Sequence, residues 1–188
     1  ANGQAFNVIQ YVTIASAGNA TDFGDLYVAQ AYALAGCASP TRGLFGGGQE
    51  LVSYARLNTI QYVTIATTGN ASYFGALTAA RANLASCSSS TRGVFGGGYT
   101  GSYTNVIDYV TIDTTGNATD FGDLSSATNA YPPTASTNST IALFMFGNSS
   151  VNTMEYVTIA TTGNSTDFGD SIQGSSWPGS TSNCHGGL

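Results

Sequence analysis

Tyr11-Val12-Thr13-Ile14 returns as Tyr62-Val63-Thr64-Ile65, as Tyr109-Val110-Thr111-Ile112 and as Tyr156-Val157-Thr158-Ile159, at intervals of 51, 47 and 47 residues. Each copy leads into a Gly-Asn turn and then an aromatic-Gly pair: Phe23-Gly24, Phe74-Gly75, Phe121-Gly122 and Phe168-Gly169. Between copies lies Thr41-Arg42-Gly43-Leu44-Phe45-Gly46-Gly47-Gly48, echoed as Thr91-Arg92-Gly93-Val94-Phe95-Gly96-Gly97-Gly98. A third, degraded echo reads Ala142-Leu143-Phe144-Met145-Phe146-Gly147. Self-similarity at a fixed period marks an array of like units, each too small to bury its own apolar surface. Four copies fill residues 1–188 and leave no room for a second domain.

Within a unit the period is that of strands. Val8-Ile9-Gln10-Tyr11-Val12-Thr13-Ile14 is β-branched and aromatic, and alternation puts Tyr and Thr on one face, Val and Ile on the other. Thr67-Thr68-Gly69-Asn70 supplies residues that tolerate positive φ, so the chain is expected to reverse there into a second strand around Phe74-Gly75. A third strand is expected over residues 80–87, a turn at Ser88-Ser89-Ser90 and a fourth strand over residues 91–95. A helix through the alanines of 80–87 is the competing reading, and Pro132-Pro133 at the matching place of the next repeat argues against it. Four short antiparallel strands per unit make the blade of a β-propeller, whose sheets bury their faces against their neighbours.

Charge excludes several roles. The chain carries four Lys+Arg against ten Asp+Glu, a net charge of −6, and only 7% charged residues. All four basic residues are arginines, and without lysine there is no basic stripe to neutralise phosphates, which removes nucleic acid from the expected partners. The same shortage argues against docking on an anionic membrane, and no apolar run approaches the roughly 18 residues of a membrane span. The opening at Ala1, without Met or a charged leader, reads as a processed chain or an excerpt. Cys37 and Cys87 stand in the same place of successive repeats, so they are expected to lie too far apart to bridge and to serve as small buried hydrophobes. Three Cys and one His make no zinc constellation, Cys184-His185 lacking partners, and no cofactor is expected.

A Gly-Gly pair closing a hydrophobic strand (Gly46-Gly47, Gly96-Gly97), a Tyr-bearing strand after a variable loop, and an aromatic twelve residues later together resemble the Kelch repeat. The aromatic usually found as Trp in that family is Phe23, Phe74, Phe121 and Phe168 here, and its Tyr-Asp is Tyr-Val. The resemblance implies an all-β fold: a small β-propeller of four Kelch-like four-stranded blades in one domain, residues 1–188. Cys184-His185-Gly186-Gly187-Leu188 aligns with Val94-Phe95-Gly96-Gly97-Gly98, so C-terminal strands are expected to complete the blade whose outer strands come from the N-terminus. The rival is an incomplete ring, completed by a second chain or cut from a longer protein.

Candidate chemistry is sparse. The pairs Asp22/Asp25, Asp120/Asp123 and Asp167/Asp170 could share a hard cation, but the second repeat has Tyr73 and Ala76 there, and bonding to local turn amides is the simpler expectation. Arg42 and Arg92 recur in phase, which points to a structural bond to the next blade, and Arg81 sits where Kelch units often carry an arginine. His185 has no nucleophile motif around it, and its alignment with Phe95 suggests a packed strand residue. Six Asn-x-Ser/Thr sequences occur, at Asn19, Asn70, Asn117, Asn138, Asn148 and Asn164; four of them belong to the repeating turn and are explained by turn chemistry.

The non-repeating loops are the candidate binding surface. Residues 48–58 carry Tyr54 and Arg56, residues 98–105 carry Tyr99 and Tyr103, and Trp177 stands alone. Varied loops on a repeating scaffold are where ligands dock, and aromatic faces among Ser, Gly and Asn suit sugar rings. The wording Tyr156-Val157-Thr158-Ile159-Ala160-Thr161-Thr162-Gly163-Asn164 and its copies is similar to repeats of predicted virion structural proteins in tailed phages of marine cyanobacteria. That similarity implies a non-enzymatic extracellular or virion protein for a tail fibre, capsid decoration or host attachment. The partners it implies are other virion or structural proteins and a host-surface glycan, with homo-oligomers as a further expectation. The alternative reading is a self-assembling structural protein forming oligomers or filaments. An enzyme of the galactose-oxidase type is the third, poorly equipped with a single His for that family's copper site.

Overall fold

The computed structural model describes residues 7–28, 33–50, 53–126, 134–146 and 151–174, and every regular element among them is a strand. Sheet I pairs β1 (Val8–Tyr11) with β2 (Thr21–Asp25). Sheet II sets β3 (Ala35–Ala38), β4 (Arg42–Gly46), β5 (Thr59–Thr64) and β6 (Ser72–Ala76) side by side in chain order. Sheet III does the same with β7 (Ala85–Ser88), β8 (Arg92–Gly96), β9 (Val106–Thr111) and β10 (Thr119–Asp123). Sheet IV comes next with β11 (Thr134–Thr137), β12 (Ile141–Met145), β13 (Thr153–Thr158) and β14 (Thr166–Asp170). All pairings are antiparallel. Counted from the Tyr-bearing strand, each four-stranded sheet therefore straddles two repeats. The C-terminal strands expected to complete sheet I, with Cys184 and His185, lie outside the described residues, as do Pro132, Pro133 and Asn148.

Two local expectations need correction. The strand expected over residues 80–87 is confined to Ala85–Ser88: Ala82 makes only an isolated bridge to Tyr99, and Asn83 takes a φ of 56°. Arg81, fully buried, turns that segment inward before the ladder can begin. Nor does Thr67-Thr68-Gly69-Asn70 reverse through a left-handed glycine. The reversal is a turn closed by Thr67 N–H on Thr64 O at 3.2 Å, after which the chain is extended. Left-handed backbone is used elsewhere, at Gly47 (φ 66°) and Gly97 (φ 66°), where β4 and β8 end.

The sheets stack in series. Phe95 of sheet III, with no exposed surface, fills the space a side chain on Gly46 of sheet II would need: a Cβ there would stand 2.7 Å from its ring. Phe144 of sheet IV meets Gly96 of sheet III in the same way, at 2.6 Å. One core, Leu44, Ile60, Phe74, Phe95 and Ile112, lies between sheets II and III; another, Val94, Ile107, Phe121, Phe144 and Ile159, lies between III and IV. Each sheet also carries an edge-to-face Tyr–Phe pair: Tyr11–Phe23, Tyr62–Phe74, Tyr109–Phe121 and Tyr156–Phe168, with centroids 5.9, 5.8, 5.8 and 6.0 Å apart. Between β7 and β3, Ser86 and Ser88 donate to the carbonyls of Gly36 and Ala38, both at 2.7 Å.

The strand registers separate the connections into two ends of the array. The recurring turns (39–41, 65–71, 89–91, 112–118, 138–140, 159–165) lie at one end, and the varied segments 47–58, 77–84 and 97–105 lie at the other.

Candidate functional site

Polar seams join successive sheets. In seam I/II, Gly69 N–H donates to Phe23 O and Ala71 N–H to Asp25 O, both at 2.7 Å, while Asn70 Oδ1 accepts Asp25 N–H at 3.0 Å. Seam II/III repeats this with Gly116, Ala118 and Asn117 on Phe74 and Ala76, and seam III/IV with Gly163, Ser165 and Asn164 on Phe121 and Asp123. The Gly-Asn turn is thus a clamp on the preceding sheet, which accounts for the recurrence of its Gly-Asn pair. The glycine after the aromatic makes room for the clamp: a Cβ on Gly24, Gly75 or Gly122 would lie 2.3, 2.0 or 2.4 Å from the carbonyl oxygen of Gly69, Gly116 or Gly163.

A second polar contact is not anticipated by the alternation of the strands. The residue before each Tyr lies on the strand face expected to be apolar, yet in three sheets it is Gln61, Asp108 or Glu155, all essentially buried. Gln61 Oε1 accepts Tyr27 N–H at 2.6 Å, Asp108 Oδ2 accepts Thr78 N–H at 3.1 Å and Glu155 Oε2 accepts Ser125 N–H at 2.9 Å. Asp108 also pairs with Arg81 at 3.0 Å, both side chains wholly buried, and Arg81 Nη2 donates to Phe95 O at 3.1 Å. Burial lowers the Arg81 pKa and the Asp108 charge opposes that shift. The signal for these contacts is a polar residue in the same place of every β-branched run, Gln10, Gln61, Asp108 and Glu155.

Arg42 and Arg92 do the structural job expected of them. Each reaches across its seam, Arg42 Nη1 to Ile112 O at 2.8 Å and Arg92 Nη1 to Ile159 O at 2.7 Å. Each also lies over the Tyr of its own sheet, 4.6 Å from the Tyr62 centroid and 4.4 Å from that of Tyr109. Asp22 and Asp167 accept the amides of Gly24 and Gly169, at 3.1 and 3.0 Å, as turn carboxylates do. Among the described residues no group of three or more His, Cys, Asp or Glu is placed to hold a metal ion. Cys37 and Cys87 are not joined; burial pushes the Cys37 thiol up to about 12, against Gly93, where a Cβ would stand 2.9 Å from its sulfur.

Of the loop residues, three converge. Residues 47–50 and 53–58 flank a connection closed by Leu57 N–H on Gly48 O and Glu50 N–H on Ala55 O, both at 2.9 Å. That loop presents Arg56 to the neighbouring sheet's loop, where Tyr99 is tied to Ala82 by paired backbone bonds of 3.1 and 2.8 Å. The Arg56 guanidinium lies over the Tyr99 ring, 4.6 Å from its centroid, and Tyr103 meets Tyr99 edge-on at 5.2 Å. Arg56 Nε is buried without a hydrogen-bond partner among the described residues. Tyr54 does not join this cluster: it sits at the loop tip with a φ of 57° and 62% of its surface exposed. Trp177 lies outside the described residues. The cluster offers aromatic faces, phenol hydroxyls and a cation at one place, a set suited to stacking on a ring while bonding its hydroxyl or carboxylate groups. A shallow groove of about 310 Å³, lined by Tyr109, Thr111, Thr114, Gly116, Asn117 and Thr119, belongs to the turn end instead.

No protein-family model and no curated protein matches the chain.

Proposed function

We propose that the chain is a non-enzymatic structural and recognition module, extracellular or on a virion, built as a small β-propeller of four Kelch-like blades. Its place is a phage tail fibre, a decoration or a host-attachment protein, where it binds a surface glycan or protein through its inter-strand loops. The observation that carries this reading is the Arg56–Tyr99–Tyr103 cluster. Two loops that do not repeat, borne by different sheets, bring a cation and two aromatic rings together. The serial stacking of four-stranded sheets supports the propeller arrangement. A glycan array probed with the whole chain tests recognition. Binding is expected for the parent and to fall at least about tenfold in Tyr99→Ala and Arg56→Ala, while Tyr54→Ala, outside the cluster, binds like the parent. Equal binding by all variants would remove the cluster from the site, and an array without a hit would leave no glycan to recognise.

A further inference from the structure

The seam motif has a fourth copy whose two halves are both present and do not meet. On sheet IV, the groups corresponding to Phe121 O, Asp123 O, Asp123 N–H and Ser125 N–H are Phe168 O, Asp170 O, Asp170 N–H and Ile172 N–H. On sheet I, the groups corresponding to Gly163 N–H, Ser165 N–H, Asn164 Oδ1 and the Glu155 carboxylate are Gly18 N–H, Ala20 N–H, Asn19 Oδ1 and the Gln10 amide. None of these atoms makes a seam bond among the described residues. Phe168 is 55% exposed where Phe74 and Phe121 are 2% exposed, and Ile14 is 96% exposed where Ile65 is 45% exposed and Ile112 and Ile159 are buried. Gly169 keeps a φ of 126° although nothing stands within 4 Å of its Cβ position, whereas its counterparts make room for a turn.

We propose that the exposed edge of β14 takes the Gly18–Asn19–Ala20 turn of a second copy of this chain, joining copies head to tail. Continuity with the three filled seams identifies the occupant: the missing partner must offer two N–H groups and an Asn oxygen at the spacing of Gly-Asn-x, and sheet I carries that set unused. Among the described residues of one chain the two halves make no seam bond, so the partner is assigned to another copy. Such a heterologous contact builds a ring where the rotation closes and a filament where it does not. The inference takes the proposed ring of blades to be completed by a second copy and rests on the seam geometry, not on the loop cluster, so its failure leaves the recognition reading standing.

Light scattering and sedimentation of the whole chain over a concentration series test it. The mass is expected to rise above the 19.2 kDa monomer with concentration. Gly169→Val, which places a branched side chain where the turn must lie, and Gly18→Pro, which removes the donor N–H, should each stay monomeric with unchanged circular dichroism. Mixed together, they should form a 1:1 dimer and nothing larger, since each retains one intact half. Asn19→Ala, which leaves the turn backbone in place, should weaken association about tenfold. A parent that remains monomeric throughout, including one closed on itself, would overturn the proposal. So would a Gly169→Val chain that still associates, or a mixture that stays monomeric.

Discussion

Phe121 and Phe168 occupy the same place in the same motif, each edge-on to a Tyr in its own sheet, yet one is 2% exposed and the other 55%. The difference lies entirely in the sheet that stands against each. Sheet III is covered by the turn of sheet IV, with Gly163 and Ser165 bonded to it, while sheet IV presents the same edge bare. A sheet of this kind is thus finished by its neighbour. The motif is a contract between successive sheets, and its residues have meaning only across a seam.

Breaking the comparison at the aromatic should give the largest effect. Phe121→Ala is expected to destabilise the chain by about 3–5 kcal/mol, as deleting a fully buried ring does. Phe168→Ala should cost about 1 kcal/mol, because more than half of that ring already meets solvent. Chemical denaturation of both variants at a concentration where the chain is monomeric checks this, and equal losses would show the two seams to be alike.

The glycines sharpen it further. In Gly75→Ala the new methyl would meet the Gly116 carbonyl oxygen at 2.0 Å, forcing seam II/III apart at a cost of about 3 kcal/mol. Gly169→Ala meets nothing and should lose only about 1 kcal/mol, from the backbone conformation it is obliged to adopt. Thermal melts of the pair separate crowding from backbone strain.

The smallest expected effect concerns Cys37, also in seam II/III. Burial raises its thiol from 9.0 to about 12, so the native state holds it protonated. The stability this confers is intact below pH 9.0 and is lost as pH climbs towards 12. Denaturation midpoints measured across that window should fall in the parent and fall less in Cys37→Ala.

Strand composition was readable from residues alone because β-branched and aromatic runs of period two leave little choice of element. Val106–Thr111 and its copies are strands as expected, and the double glycines end strands as expected. The in-phase recurrence of Arg42 and Arg92 was enough to assign them a bond across to the next sheet. Residues 80–84 misled because their apolar-polar alternation runs on into Ala85–Ser88, while the burial of Arg81 is decided by Asp108, 27 positions away. The Gly-Asn turn misled because its glycine suggests local geometry, whereas its amide serves another sheet. Of the loop residues, Arg56, Tyr99 and Tyr103 converge and Tyr54 does not, since convergence depends on which loops adjoin through stacking.

Gln61, Asp108 and Glu155 hold equivalent stations but engage different counterparts: backbone groups of Tyr27 and Val28, an arginine, and the hydroxyls of Ser125 and Ser165. Near-identical repeats risk assembling out of order, and these private locks discriminate against it. A shuffled arrangement setting sheet I beside sheet III would leave the Asp108 carboxylate in the interior without its arginine, a penalty of about 3–5 kcal/mol. A monotonous chain thereby acquires an address for each of these three sheets.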